Sequence, residues 1–246
     1  MSVLLDVAAG IATITLDSPH NRNALSRQLM TELSGHLTAA GQDPEVRAVL
    51  LRSSGRVFCS GADLTEARAG LGADGPRAIV GLQRQIATLP KPVVVELAGP
   101  VRAGGLGLVG AADVVIAAES VTFALTEVRL GLAPSAISLS LLERLTPRAA
   151  ADVFLSGRTF DAAEAAAIGL VTRCVPDAGL AAAVAGTLAE LAEGSPQGLA
   201  ETKRLLTAGL VARIDRDGEE AAARSAELFA SPEAQQAMRA FLSRRA

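Results

Sequence analysis

Apolar and polar positions alternate near the start of the chain. Two apolar runs, residues 3–7 and Ile11–Leu16, flank Ala8-Ala9-Gly10, and the second alternates. In the second run Ile11, Thr13 and Thr15 share one face, and Ala12, Ile14 and Leu16 share the other. A period of two around a small-residue turn predicts a β-hairpin. The pattern then changes. A helix is predicted from residues 23–26 to about Ala40, with Ser26 as N-cap, because a serine oxygen can accept from a free N–H of the first turn. Residues 46–52, Val93–Leu97 and 113–117 are largely apolar without alternation, which predicts strands buried on both faces.

Between these lie the expected loops and helices. Residues 53–63 are a small-residue loop running into a helix, and 69–76 are a glycine-rich loop. A helix over 77–89 is ended by Pro90 and Pro92. A second glycine-rich loop, 98–105, leads into a short helix. From Ser135 onward the pattern is helical, over 138–145, 148–156, 162–168, 179–192, 196–210, 218–229 and 232–242, with one strand at 170–174. The chain is read as α/β, with a core over residues 1–190 and a helical C-terminal region over 191–246.

Half of the 246 residues are hydrophobic and the mean hydropathy is +0.34. A membrane-spanning helix needs about 20 apolar residues in a row. Glu96, Arg102, Asp113 and Glu190 break the best runs first. The N-terminus lacks a basic segment and carries Asp6 in its apolar stretch, so no signal peptide is expected. With 23 Lys and Arg against 26 Asp and Glu, the net charge is −3, which argues against nucleic-acid partners and acidic membrane surfaces. Aromatic residues make up 2%, with no Trp or Tyr, so stacking platforms for single strands are nearly absent. Cys59, Cys174, His20 and His36 are scattered. This fits a reducing, cytoplasmic compartment and a chain without a metal centre or disulfide framework.

One motif is a decoy. Gly105-Leu-Gly107-Leu-Val-Gly110 matches the dinucleotide fingerprint G-x-G-x-x-G. That fingerprint needs its first glycine at a strand end and a full crossover helix after it. Residues 98–104 separate strand and glycine, and the next strand opens at Asp113, so no crossover helix fits. The two glycine-rich loops suit another purpose. Phe58-Cys-Ser-Gly-Ala-Asp63 and Arg102-Ala-Gly-Gly105 each set small residues between a buried strand and a helix start, where backbone N–H groups can meet a developing oxyanion. Taken singly, each reads better as a tight strand-to-helix turn; as a pair, one per strand–loop–helix unit, they favour the oxyanion reading.

Together with their surroundings, these segments resemble the crotonase (enoyl-CoA hydratase/isomerase) superfamily. The resemblance rests on Arg22-Asn-Ala-Leu25, Phe58-Cys-Ser-Gly-Ala-Asp-Leu64, Lys91-Pro-Val-Val-Val, Gly99-Pro-Val-Arg-Ala-Gly-Gly105, Asp113, Phe123-Ala-Leu-Thr-Glu-Val-Arg-Leu-Gly-Leu132 and Ala133-Pro134, with Leu155-Ser-Gly and residues 166–171 later. It implies a spiral of ββα units with a helical C-terminal extension. It implies an acyl-CoA thioester as substrate, with no cofactor beyond the CoA the substrate carries. The N–H groups of Ala62 and Gly104 would hold the thioester oxygen, and Glu127 would be the acid–base residue. Arg22, Ala24, Ala62, Asp63 and Leu64 would receive the CoA nucleotide, and Arg244 would approach its phosphates from a neighbouring subunit. A homotrimer or hexamer is implied, with the C-terminal helices packed across subunits, and a role in fatty-acid or lipid metabolism.

The chain departs from the family pattern at one point. Hydratases of this kind usually carry two glutamates, and the first falls on Gly107. Gly107 also resembles a hydratase branch that acts on branched or bulky enoyl groups. Three functions stay open: a single-glutamate enoyl-CoA hydratase, a carbon–oxygen lyase; an enoyl-CoA isomerase; and a silent acyl-CoA-binding protein. Glu96, inside an apolar strand, is read as structural, paired with Arg102 or Arg129 or set at a subunit interface. Cys59 is read as a small buried thiol rather than a nucleophile.

Overall fold

The computed structural model describes residues 1–68 and 74–243. The hairpin is present: β1 (Val3–Ala8) and β2 (Ile11–Leu16) are antiparallel, with Ala9 and Gly10 at positive φ in the turn. In α1 (Arg27–Gln42) the Ser26 hydroxyl accepts from Leu29 N–H as expected. Then follow β3 (Ala48–Ser53), α2 (Leu64–Arg68), α3 (Asp74–Thr88), β4 (Val93–Leu97), β5 (Val101–Arg102), α4 (Gly105–Ala111), β6 (Val114–Ala118) and β7 (Thr122–Ala124). A 3₁₀ turn over Thr126–Leu130 leads to α5 (Ser135–Arg144), α6 (Pro147–Ser156), β8 (Phe160–Asp161), α7 (Ala162–Ala167), β9 (Arg173–Val175), α8 (Leu180–Ala192), α9 (Pro196–Ala230) and α10 (Pro232–Ser243).

The larger sheet has the order β1-β2-β3-β4-β6-β9 and is parallel from β2 onward. Helices cover its central strands, which is why β3 and β4 are apolar on both faces. A second sheet, β5-β7-β8, stands beside it. It links the loop after β4 to the turn after β7, and so sets two candidate catalytic segments side by side. Among the described residues no helix is long and apolar enough to cross a membrane.

Several expectations need correction. Residues 74–76 are the first turn of α3 rather than loop, while residues 69–73 of that predicted loop lie outside the described residues. The strand expected over 170–174 forms over Arg173–Val175, where Ile116, Ala117 and Ala118 supply its partners. Strands β5, β7 and β8 are too short to leave a periodic signal. The helices predicted over 196–210 and 218–229 are one continuous helix. Gly218 does not end it; a Cβ there would stand 3.0 Å from Val80 Cγ1, so this glycine lets α9 press against α3. Asp215, in the polar stretch between them, and Glu219, just beyond it, form ion pairs with Arg84 and Arg77 of α3. Thus α9 belongs to the main core, which holds its Leu210, Ile214 and Ala222.

A buried charge pair ties α9 to the sheet. Lys203 is 4% exposed, and its Nζ lies 2.7 Å from Asp113 Oδ2. The same ammonium donates to Ile86 O and Lys91 O, and Asp113 Oδ2 also accepts from Val93 N–H. Burial pushes the lysine below its usual range, and Asp113 opposes that shift. Removing one member leaves the other charge uncompensated. We predict that Lys203→Ala lowers unfolding free energy by about 3–5 kcal/mol in urea titrations. Arg204→Ala, which removes only an exposed pair with Glu201, should leave the midpoint unmoved.

Candidate functional site

The two glycine-rich loops lie against each other. Arg102 N–H donates to Cys59 O at 2.9 Å, and Phe58 N–H donates to Pro100 O at 3.1 Å. At Gly99 a Cβ would fall 2.5 Å from Arg56 O, so only glycine permits this approach. Gly61 has φ +94°, and a Cβ there would fall 2.7 Å from Ala103 Cβ and 3.4 Å from Gly104 N. On the facing loop, the Cβ position of Gly104 is 3.6 Å from Ala62 N. The Ala62 and Gly104 amides are therefore neighbours, and neither donates a hydrogen bond within the described residues. Ala103 takes a left-handed conformation, φ +47°, and its N–H is held by Ala124 O of β7 at 3.0 Å. That single residue turns the chain from β5 into α4.

The segment before α1 braces the first loop. Arg22 and Asn23 both have positive φ, at 59° and 52°. Asn23 is fully buried: its Oδ1 accepts from Ser18 N–H, and its Nδ2 donates to Ser54 O and Val57 O. Ser60 N–H donates to Arg22 O, and Leu25 N–H to Gly61 O. Among the residues expected to receive a nucleotide, Arg22 is exposed and Ala24 is buried. The Asp63 carboxylate caps α2 through Thr65 and Glu66 N–H. Leu64 is half-buried against a small apolar cluster of Leu132, Ala234 and Met238. Arg244 lies outside the described residues. Asn23 was missed as a brace, because a lone asparagine gives no pattern to read.

From Ala62 a cavity of about 830 Å³ opens between α1, α3 and the end of α9. Its walls include Leu25, Met30, Ile79, Leu82 and Phe229, with Arg27, Asp63 and Glu66 among its polar groups. Leu228 and Phe229 join the same small cluster as Leu64 and Leu130. The end of α9 and the start of α10 thus pack on their own chain.

Glu127 stands in the 3₁₀ turn after β7, three residues beyond Ala124. Its own carbonyl accepts from Leu132 N–H and from the N–H of Gly131, which ends the turn at φ +68°. Its Oε2 is buried and, among the described residues, is the one buried side-chain polar atom with no partner. Burial pushes the carboxyl up to about 7, with only its own backbone opposing. Glu127 is not among the residues walling the cavity. The connection between them is the cluster that joins Leu130 and Leu132 to Leu64 and Phe229.

Gly107 faces inward. A Cβ there would stand 2.7 Å from Ile137 Cγ2 and 3.4 Å from Gln83 Cδ. Gly110, one turn on, faces Ser140 Oγ at 2.8 Å. These glycines of the dinucleotide-like motif let α4 pack against α5, while Gly105 faces Cys59. Cys59 is fully buried and its thiol is pushed up to about 12, so it is not a nucleophile at neutral pH. The Arg102 guanidinium donates to Val101 O, Thr122 O and Thr122 Oγ1 rather than pairing with Glu96. No metal-ligating cluster of three His, Cys, Asp or Glu occurs among the described residues.

Comparison with known proteins places the whole chain among similar sequences and folds. Residues 6–246 match a family model described as enoyl-CoA hydratase/isomerase. The crystal structure of an enoyl-CoA hydratase from Mycobacterium avium is 45% identical, with a TM-score of 0.92 over 99% of this chain and 96% of that one. That of an enoyl-CoA hydratase/isomerase from Pseudoalteromonas atlantica is 30% identical, with a TM-score of 0.89 over 100% of this chain and 98% of that one. A Rhodobacter capsulatus protein named "Probable enoyl-CoA hydratase" is 34% identical over 248 residues, covering 99% of this chain and 96% of its own.

The raised Glu127 value has a consequence for stability. A carboxyl whose folded value exceeds its unfolded one stabilises the fold most below the unfolded value, and that contribution is lost as pH rises through the folded one. For Glu127 the window runs from the ordinary glutamate value of 4.5 up to about 7. The size is on the order of 3 kcal/mol, at 1.36 kcal/mol per unit. Glu127→Gln removes the titration. The variant should therefore gain stability relative to the parent as urea unfolding is moved from pH 5 to pH 8. A constant difference across that range would refute the assignment.

Proposed function

The chain belongs to the enoyl-CoA hydratase/isomerase family, and from that premise we propose that it adds water across the α,β double bond of an enoyl-CoA. The thioester oxygen sits between the Ala62 and Gly104 N–H groups. As water adds at Cβ, charge develops on that oxygen, and the two donors stabilise the enolate. Glu127 takes the proton of the attacking water and returns one to Cα on the same face. A carboxyl held near 7 populates both forms at neutral pH, as a group alternating between base and acid requires. The observation that carries the reading is the adjacency of the two unengaged amides. Arg22, Ala24, Asp63 and Leu64 receive the CoA, and the 830 Å³ apolar cavity takes a bulky or branched acyl group. A homotrimer or hexamer completes the proposal, with exposed Leu142 and Leu155 available for contacts between copies.

A second reading is double-bond isomerisation, in which one carboxylate carries a proton between Cα and Cγ. Ile137 and Gln83 close the space beside Gly107, which favours chemistry with a single carboxylate. A silent binder would have no use for a buried carboxyl held near 7.

A panel of 2-enoyl-CoA and 3-enoyl-CoA thioesters separates these readings. Water addition without isomerisation is expected. Glu127→Gln should lower turnover by about 10²–10⁴ and leave thioester binding nearly intact. Gly104→Pro, which deletes one donor, should cost about 10²–10³ in turnover. Undiminished hydration by Glu127→Gln would overturn the proposed mechanism.

A further inference from the structure

A second buried polar group lies close to the oxyanion loop and has no part in the proposed chemistry. Gln83, on α3, is fully buried, and so is Ser140, on α5. The Gln83 Nε2 donates to Ala136 O at 2.8 Å and to Ile79 O at 3.2 Å. Its Oε1 accepts from Ser140 Oγ at 2.7 Å, and the same hydroxyl lies 3.3 Å from Gly107 O. Gln83 and Ser140 thus bond α3 to α5, and the Gly107 carbonyl of α4 lies against that bond as a longer, shared contact of the same hydroxyl. The participating α4 carbonyl is one turn beyond Gly104, whose N–H is one of the two oxyanion donors. Ala136 O is in the first turn of α5, close in sequence to the turn carrying Glu127.

We infer that Gln83 and Ser140 are positioning residues that fix the Gly104 amide against Ala62. Arg144 of α5 donates to Gly110 O and Ala112 O and so fixes the far end of α4. At the end nearer Gly104 the glycine face offers no side chain, and the Gln83–Ser140 pair is the directional contact. It keeps that end from sliding. Displacing a donor by a fraction of an ångström weakens its hold on a developing charge far more than it weakens ground-state binding. The inference rests on the oxyanion assignment above and says what holds it in place.

The test uses the full chain with a saturated acyl-CoA, ¹³C-labelled at the thioester carbonyl, which binds without reacting. Infrared difference spectra report how strongly the carbonyl is polarised. In the parent protein the stretch should fall below that of free thioester. Gln83→Met and Ser140→Ala should each lose most of that shift while affinity stays unchanged. In the enoyl-CoA assay they should lower kcat about 10- to 100-fold with KM little altered. The double variant removes both partners, so no buried group is left unsatisfied and stability should recover. The carbonyl shift should not recover with it. A shift that returns with stability, or single variants that match the parent, would overturn the inference. Should Gln83→Met fail to fold, Ser140→Ala decides alone, because it deletes only a hydroxyl. A parent protein that shifts the carbonyl yet turns over no enoyl-CoA would contradict the hydratase reading and leave this inference standing. A parent that binds without any shift would overturn the inference as well.

Discussion

The site depends on a close backbone approach between residues 56–62 and 99–105. Side chains would prevent it at Gly99, Gly61 and Gly105, where a Cβ would fall within 2.7 Å of the facing loop. Without those side chains the loops bond directly, through Arg102 to Cys59 and Phe58 to Pro100. The contact brings two amides together from segments far apart in sequence. The strands behind these loops, β3 and β4, are parallel neighbours in the main sheet. Rigid strands therefore deliver both loops to the same place, and glycine lets them touch.

The same close packing shapes the chemistry on the other side of α4. Helix α5 comes so near that Ile137 occupies the space beside Gly107. A second carboxylate there would need α5 to withdraw. In the proposed mechanism Glu127 is therefore the single carboxylate. It stands in a tight 3₁₀ turn with its Oε2 cut off from water. Desolvation is enough to raise such a group towards neutrality, and among the described residues no cation offsets it. A carboxyl poised near pH 7, as the proposed acid–base role requires, thus arises from burial.

The fold was legible where a period could be read. The hairpin, α1 with its Ser26 cap, and the apolar strands β3 and β4 were all visible in the pattern. The two glycine-rich loops and Glu127 were recognisable because their residue types recur in a known family order. What escaped notice has a common cause. Strands β5, β7 and β8 span two or three residues, too few for alternation to show. The continuity of α9 depends on Gly218 meeting Val80, a contact made only in the folded chain. Asn23, Gln83 and Ser140 look like ordinary polar residues until tertiary structure buries them. The G-x-G-x-x-G match is excluded by spacing in the sequence, and in the fold its glycines serve helix packing.

The central claim is that Ala62 and Gly104 together hold the substrate oxygen. A crystal structure with a saturated acyl-CoA bound tests it most directly. The account predicts the thioester oxygen at about 2.7–3.1 Å from both amide nitrogens, with the acyl group running into the cavity walled by Ile79 and Phe229. A thioester oxygen that meets neither amide, or a CoA bound away from Ala62, would contradict it.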